Sequence, residues 1–157
     1  MHKHAFATAA LLAATGSPAL AQDTVSMDEV PPEARAAAQA AAPGTSFDSV
    51  GLDLDGGRAA YEFAGTGEDG KAIEVDVLAD GRVLEIEREI DMSEVPEAVR
   101  TLLDRYASGM QPEMIEESTH ANFEVWYEFG GTLEGGEIDA EVSADGRRIL
   151  IQDDQAG

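Results

Sequence analysis

Two stretches of the sequence are near copies of each other: residues 72–82 read AIEVDVLADGR, and residues 137–147 read EIDAEVSADGR. Each residue of the second stretch lies 65 positions after its counterpart in the first, as Ile138 does after Ile73. Both stretches alternate apolar with acidic residues and end on Ala-Asp-Gly-Arg, a pattern typical of a half-buried strand that enters a tight hairpin. The sequence therefore predicts one structural unit present twice.

The start of the chain is typical of a secretory signal peptide over residues 1–21. Lys3 gives a positive start, residues 5–14 are an apolar run, and residues 19–21 form a small-x-small cleavage site. A transmembrane anchor would need about 20 apolar residues in a row, and Thr15 ends this run. We therefore expect a soluble periplasmic or secreted protein that is not inserted in a membrane after cleavage.

The composition is strongly acidic and lacks cysteine. The 157 residues include 10 lysines and arginines and 32 acids, so removal of Lys3 leaves 9 against 32, a net charge of −23. This charge repels nucleic acid and anionic lipid, and it attracts cations or basic proteins. The absence of cysteine excludes disulfides and thiolate metal sites.

The predicted fold class is α+β, with two tandem repeats in the order α-β-β-β-β and both helices packed on one sheet face. We assign residues 22–27 to a flexible lead-in, 28–90 to the first repeat, 91–153 to the second and 154–157 to a tail. The first helix is nearly all alanine, so we expect the second helix to anchor the core through larger side chains. These are Val99, Leu102, Leu103 and Tyr106.

One strand of the second repeat, over residues 123–129, carries most of the aromatic residues of that repeat. Alternation predicts that four side chains share its inner face. They are Phe123, Val125, Tyr127 and Phe129.

Several motifs occur once in each half: Val30-Pro31 and Val95-Pro96, Tyr61-Glu62-Phe63 and Tyr127-Glu128-Phe129, and Asp80-Gly81 and Asp145-Gly146. In this order the chain resembles the PepSY-like domains, exported bacterial modules related in fold to the beta-lactamase-inhibitor proteins. The resemblance covers residues 28–153. It implies a non-catalytic module of the cell envelope that binds or restrains a peptidase or senses a periplasmic signal.

The same alternation predicts an acidic sheet face on the side away from the helices. A solvated face without a partner is one interpretation, because strands must direct polar residues outward. The other is a surface that binds a basic protein or peptide. The predicted face consists of Glu62, Glu74, Asp76, Glu85 and Glu87 in the first repeat and Glu124, Glu128, Asp139 and Glu141 in the second.

Trp126 is the one large aromatic residue expected on this face, between Glu124 and Glu128. A ring among carboxylates can hold a lysine or arginine of a partner. The alternative is that Trp126 packs under a loop or covers the junction between the repeats.

The sequence predicts no catalytic site, no cofactor and no dedicated metal site. After cleavage the remaining histidine is His120, which we expect to be a solvent-exposed loop residue. Residues 53–57 begin like an Asp-x-Asp calcium loop but lack its later ligands, and a hairpin turn explains them equally well. Two hypotheses remain: a binding module for a basic protein or peptide, including an inhibitor of an envelope peptidase, and an acidic protein that binds divalent cations weakly or buffers them.

Overall fold

A computed structural model describes residues 23–55 and 57–153. The predicted signal peptide and C-terminal tail lie outside the described residues. Within them, a short 3-10 helix spans Met27–Glu29, and the α-helices are α1 (Pro32–Ala41) and α2 (Glu97–Tyr106). The strands are β1 (Asp23–Thr24), β2 (Ser46–Asp55), β3 (Arg58–Thr66), β4 (Ala72–Leu78), β5 (Val83–Glu89), β6 (Gln111–His120), β7 (Val125–Leu133), β8 (Gly136–Ser143) and β9 (Ile149–Asp153).

The nine strands form one antiparallel sheet in which every strand pairs with the next along the chain. The α+β class is thereby confirmed. The strands that follow α1 continue into those that follow α2, because β5 pairs with β6 through Glu87 opposite Ser118. The predicted halves therefore share one sheet, and their division into domains at residues 90 and 91 stays a prediction.

Both helices begin in the same way. Val30 and Val95 are each 2% exposed, and the prolines that follow them, Pro31 and Pro96, are the N-cap residues of α1 and α2. Proline suits this position because its fixed φ favours the first turn and the missing N–H would have no partner inside the helix. The buried valine ties each helix start to the core.

Each helix covers one hydrophobic cluster. Under α1, Ala34 and Ala38 pack against sheet residues that include Phe63 and Val75. Under α2, Val99 and Leu103 pack against Tyr127, Phe129 and their neighbours. Opposite residues of antiparallel strands share a face. The pairs Val75–Ile86, Ile86–Thr119 and Thr119–Val125 therefore place both clusters on the same side of the sheet.

Three expectations differ from the structure. Residues Asp23 and Thr24, in the predicted flexible lead-in, pair with β2. Tyr106 is 58% exposed, so α2 anchors its cluster through Val99 and Leu103 without it. Phe123 was expected in the core but is 88% exposed in the turn before β7, where its φ of 64° is incompatible with a strand.

The Asp-Gly hairpins predicted from the repeated stretch are present, and the second packs tightly on α2. Gly146 has a φ of 64°, and a Cβ built on it would lie 2.6 Å from the carbonyl oxygen of Ala98. Asp145 accepts the backbone N–H of Arg147, which fixes the turn. The hairpin between β8 and β9 is therefore held against the first turn of α2.

We expect Gly146→Ala to lower the free energy of unfolding by about 2–3 kcal/mol, since it adds a steric clash to an unfavourable φ. Gly135→Ala is the matched control, because Gly135 has a φ of 87° but open space around its Cα. Gly135→Ala should lower the free energy of unfolding by about 1 kcal/mol. Urea denaturation checks both values, and equal losses would show that the contact with α2 is unimportant.

Candidate binding face

The side of the sheet opposite both helices is lined with carboxylates, and we call it the acidic face. Within the described residues, α1 and α2 pack on the other side. The acids of this face alternate along each strand with core residues, as Glu74 and Asp76 do with Val75. The acidic face comprises Glu62, Glu74, Asp76, Glu85, Glu87, Glu116, Glu128, Asp139 and Glu141.

Strand register brings these acids side by side across the sheet. One row runs from Glu62 through Asp76 to Glu85. A second row contains the pair Glu74 and Glu87, and a third runs from Glu116 through Glu128 to Glu141. Like charges directly opposite each other on adjacent strands repel. The acidic face is therefore electrostatically strained when all of its carboxylates are ionised.

The centre of the face is partly shielded from water. Glu128 is only 6% exposed, and Ser118 beside it is fully buried. The hydroxyl of Ser118 donates a hydrogen bond to Glu85. Carboxylate oxygens of Glu85, Glu87 and Glu128 lie within 4.8 Å of one another. These groups share a small, poorly hydrated volume.

Burial and mutual repulsion raise the carboxyl pKa values in this region. Burial is the main cause at Glu87, whose pKa rises to about 10 with further contributions from Glu128 and Glu85. Burial likewise raises the pKa of Glu74 and of Glu128 to about 8, and nearby carboxylates add to the effect. The pKa of Glu116 is raised for the same reasons. Part of the cluster therefore carries protons at neutral pH.

His120 is the last residue of β6, not the solvent-exposed loop residue that the sequence suggested. Its side chain is half-buried, and Nε2 lies 3.3 Å from Oε1 of Glu85. The reason is register, since β5 and β6 place Glu85 opposite His120.

Trp126 lies at the margin of the acidic face, opposite Ser118 and Ser143. It is 9% exposed, and the guanidinium of Arg148 lies 4.5 Å from the centre of its ring. The same guanidinium bonds to Glu124 at 3.0 Å. An arginine of the chain itself thus occupies the position proposed for a partner's cation, and a partner-binding role for Trp126 stays a prediction.

The structure brings together most of the residues that the sequence assigned to partner binding. Glu124 is separate from them, because it lies in the turn before β7 and not within a strand. Its pKa is lowered by hydrogen bonds from Asn122 and Arg148. The predicted members found on the acidic face are Glu62, Glu74, Asp76, Glu128, Asp139 and Glu141.

Three residues of the site were not identified from the sequence. Glu116 follows the inner-face residue Ile115, so strict alternation would have assigned it to the acidic face. Nothing in the sequence distinguishes Ser118 as part of the site, since small polar residues are common in strands. Arg148 contacts Trp126 only because the β8–β9 hairpin returns the chain beside β7.

A divalent cation would find its best ligand group at Glu85, Glu87 and Glu128. Three carboxylates offer up to six oxygens, the ligand type and minimum number that calcium prefers. The other acidic motif begins with Asp53 and Asp55 at the end of β2, where Asp55 is paired with Arg58 of β3. This arrangement agrees with the hairpin interpretation of that motif.

No model of a known protein family matches the chain, and no curated protein matches it. Solved structures do resemble it. A protein of Bacteroides eggerthii provisionally described as periplasmic has a TM-score of 0.65 at 14% identity, with 79% of this chain and 88% of that chain covered. A BLIP-like protein from Bacteroides fragilis has a TM-score of 0.61 at 18% identity, with 80% and 86% covered.

A DUF2874 family protein from Bacteroides uniformis has a TM-score of 0.59 at 16% identity, with 77% of this chain and 88% of that chain covered. Identities this low establish similarity of fold alone, and the fold is BLIP-like. In the part of the chain that the structure describes, neither helix has the length and apolar character needed to span a bilayer.

Proposed function

We propose that this protein is an exported, non-catalytic, PepSY-like binding module whose acidic face engages a basic protein or peptide. The observation that carries the proposal is the crowding of carboxylates on the one sheet face that the described helices leave uncovered. Glu74, Glu87 and Glu128, with raised pKa values, form its centre. Crowded carboxylates of this kind are well suited to a cationic partner.

The energetic basis is linkage between binding and ionisation. A lysine or arginine placed beside these carboxyls lowers their pKa values and releases their protons. Repulsion between Glu116, Glu128 and Glu141 is then replaced by attraction to the partner. Binding should accordingly strengthen as pH rises from about 6 to 9, the range in which Glu74 and Glu128 ionise in the free protein.

The fold supports a binding role. A broad sheet with one uncovered face is a common platform for protein recognition, and the similar structures include a BLIP-like protein. An envelope peptidase with a basic surface is the most specific partner that the PepSY-like resemblance suggests. The two helix-plus-four-strand segments would then be copies of one unit, and the signal peptide would direct the protein to the periplasm.

The proposal is tested with a lysine-rich synthetic peptide and two variants that each replace three acids by amides. The face variant carries Glu74→Gln, Glu116→Gln and Glu141→Gln. The control variant carries Glu33→Gln, Glu97→Gln and Asp104→Asn, all exposed on the helices. We expect at least tenfold weaker binding for the face variant and at most about a twofold change for the control at ~0.15 M salt, where distant charges are screened.

Calorimetry or fluorescence anisotropy measures both affinities. Equal losses in the two variants would show that the peptide responds only to net charge and would contradict a specific face.

A divalent-cation protein is the second candidate, supported by the proximity of Glu85, Glu87 and Glu128. Calorimetric titration of calcium chloride into the wild-type protein and a Glu128→Gln variant distinguishes the two candidate functions. A saturable heat that Glu128→Gln removes, without peptide binding, would favour the cation role. No saturable heat with calcium, together with peptide binding, would favour the binding module.

A further inference from the structure

The strand β9 forms one edge of the sheet, and half of its backbone groups have no strand to pair with among the described residues. The backbone N–H of Ser143 bonds to the carbonyl of Arg148 at 3.0 Å, which fixes the phase of the β8–β9 ladder. Alternation then directs the groups of Leu150 toward β8 and those of Ile149, Ile151 and Asp153 away from it.

This edge lacks the usual protection against pairing. Within β9 there is no proline, no lysine and no irregularity in its register with β8. Leu150 is 54% exposed and Ile151 is 40% exposed. The opposite edge is protected by its length, since β1 has only two residues. An exposed apolar edge strand of five residues therefore requires a physical explanation.

The charges around β9 suggest the partner. Residues 147–154 read RRILIQDD, with two arginines before the apolar centre and two acids after it. Two copies of a strand with this order are complementary in charge when they lie antiparallel to each other. The end of one strand that carries the arginines then lies beside the acid-containing end of the other, although the whole chain is strongly negative.

We infer that β9 pairs with β9 of a second copy of this chain, so that two sheets join into one across a two-fold axis at Leu150. In this register Leu150 lies opposite Leu150 of the other copy, Ile149 lies opposite Ile151, and Arg147 lies opposite Asp153. A two-fold axis perpendicular to the sheet keeps both acidic faces on the same side.

The register agrees with the free hydrogen-bonding groups. Ile149 and Ile151 direct their backbone N–H and C=O groups outward, so facing them across the axis forms reciprocal hydrogen-bonded pairs. Their side chains lie on the helix-covered side, where Ile149 already packs against the α2 cluster. The pairing therefore extends that apolar layer. The contact is small, which predicts a weak, concentration-dependent dimer.

The test is sedimentation equilibrium of the purified protein up to ~1 mM, with two substitutions at one residue. Ile151→Pro removes an N–H that points away from β8, and proline is tolerated in that position of an edge strand. Ile151→Ala removes side-chain atoms but keeps the N–H. We expect a reversible dimer whose dissociation constant rises at least tenfold in the proline variant and clearly less in the alanine variant.

A charge exchange provides an independent check. Arg147→Asp alone should weaken the dimer, and adding Asp153→Arg to the same chain should restore it. Circular dichroism must show that each variant remains folded. A protein that is monomeric throughout the concentration range overturns the inference. A dimer that Ile151→Pro leaves unchanged also overturns it, because the copies then meet elsewhere.

Discussion

The free energy of unfolding is expected to fall by about 2 kcal/mol or more as the pH is raised from 5 to 9. Glu128 has a pKa of about 8 in the folded protein against 4.5 as its ordinary value. Between these values the folded state holds a proton that the unfolded state has released, so a rise in pH favours unfolding. One pKa unit corresponds to about 1.4 kcal/mol, so half of the shift at Glu128 is sufficient for this loss.

Glu74 and Glu87 act in the same direction, because burial and neighbouring carboxylates raise their pKa values too. Acids with lowered pKa values, such as Asp80 and Asp145, make the free energy of unfolding depend on pH only at lower pH. Their stabilisation is complete above the ordinary value of 3.8 and is lost only in stronger acid. The change in stability between pH 5 and 9 therefore reflects the carboxyls of the acidic face.

Urea denaturation at pH 5, 7 and 9 and constant ionic strength measures the effect. Glu128→Gln should reduce the pH dependence and raise stability at pH 9, while Glu97→Gln, exposed on α2, should change neither. Stability that stays constant or increases between pH 5 and 9 would mean that the carboxyls ionise without strain.

Phe63→Ala is expected to destabilise the whole chain by about 3–5 kcal/mol, the usual cost of removing a buried phenylalanine. Phe63 is 1% exposed in the α1 cluster. Because β5 pairs with β6 along five residue pairs from Glu85 to Glu89, we expect the loss to reach the α2 half as well. The fluorescence of Trp126, in that half, should then change at the same lowered urea concentration as the far-ultraviolet circular dichroism.

Phe123→Ala is the control, since Phe123 is exposed in a turn, and it should change stability by less than about 0.5 kcal/mol. If the Trp126 transition kept its wild-type midpoint in Phe63→Ala while the circular dichroism split into two steps, the halves would be independent domains. That outcome would support the division at residues 90 and 91 and contradict cooperative unfolding.

Much of the architecture could be predicted because alternation and turn chemistry act locally. In the AIEVDVLADGR stretch, adjacent residues alone predicted the strand, the face on which each side chain lies and the hairpin that follows. Phe123 shows the limit, because alternation assigned an aromatic residue to the core where Asn122 accepts the N–H of Glu124 and turns the chain. Local side-chain hydrogen bonds of this kind override periodicity.

The chemistry of the acidic face could be predicted only in outline. Alternation placed Glu74 and Glu128 on one side, but their raised pKa values depend on which residues lie opposite across strands. Register between distant strands sets those neighbours, as it sets the contact of Arg148 with Trp126. His120 was misplaced for the same reason, since its partner Glu85 lies 35 positions earlier in the chain.

The proposed function requires carboxyls on the acidic face that are protonated in the free protein and ionise when a cationic partner binds. Carbon-detected NMR of the glutamate carboxyl groups tests it most directly, by titrating the protein from pH 4 to 10 without and with the lysine-rich peptide. We predict midpoints above 7 for Glu74, Glu87 and Glu128 in the free protein and lower midpoints in the complex. Midpoints near 4.5 for all three, or midpoints that the peptide leaves unchanged, would contradict the claim.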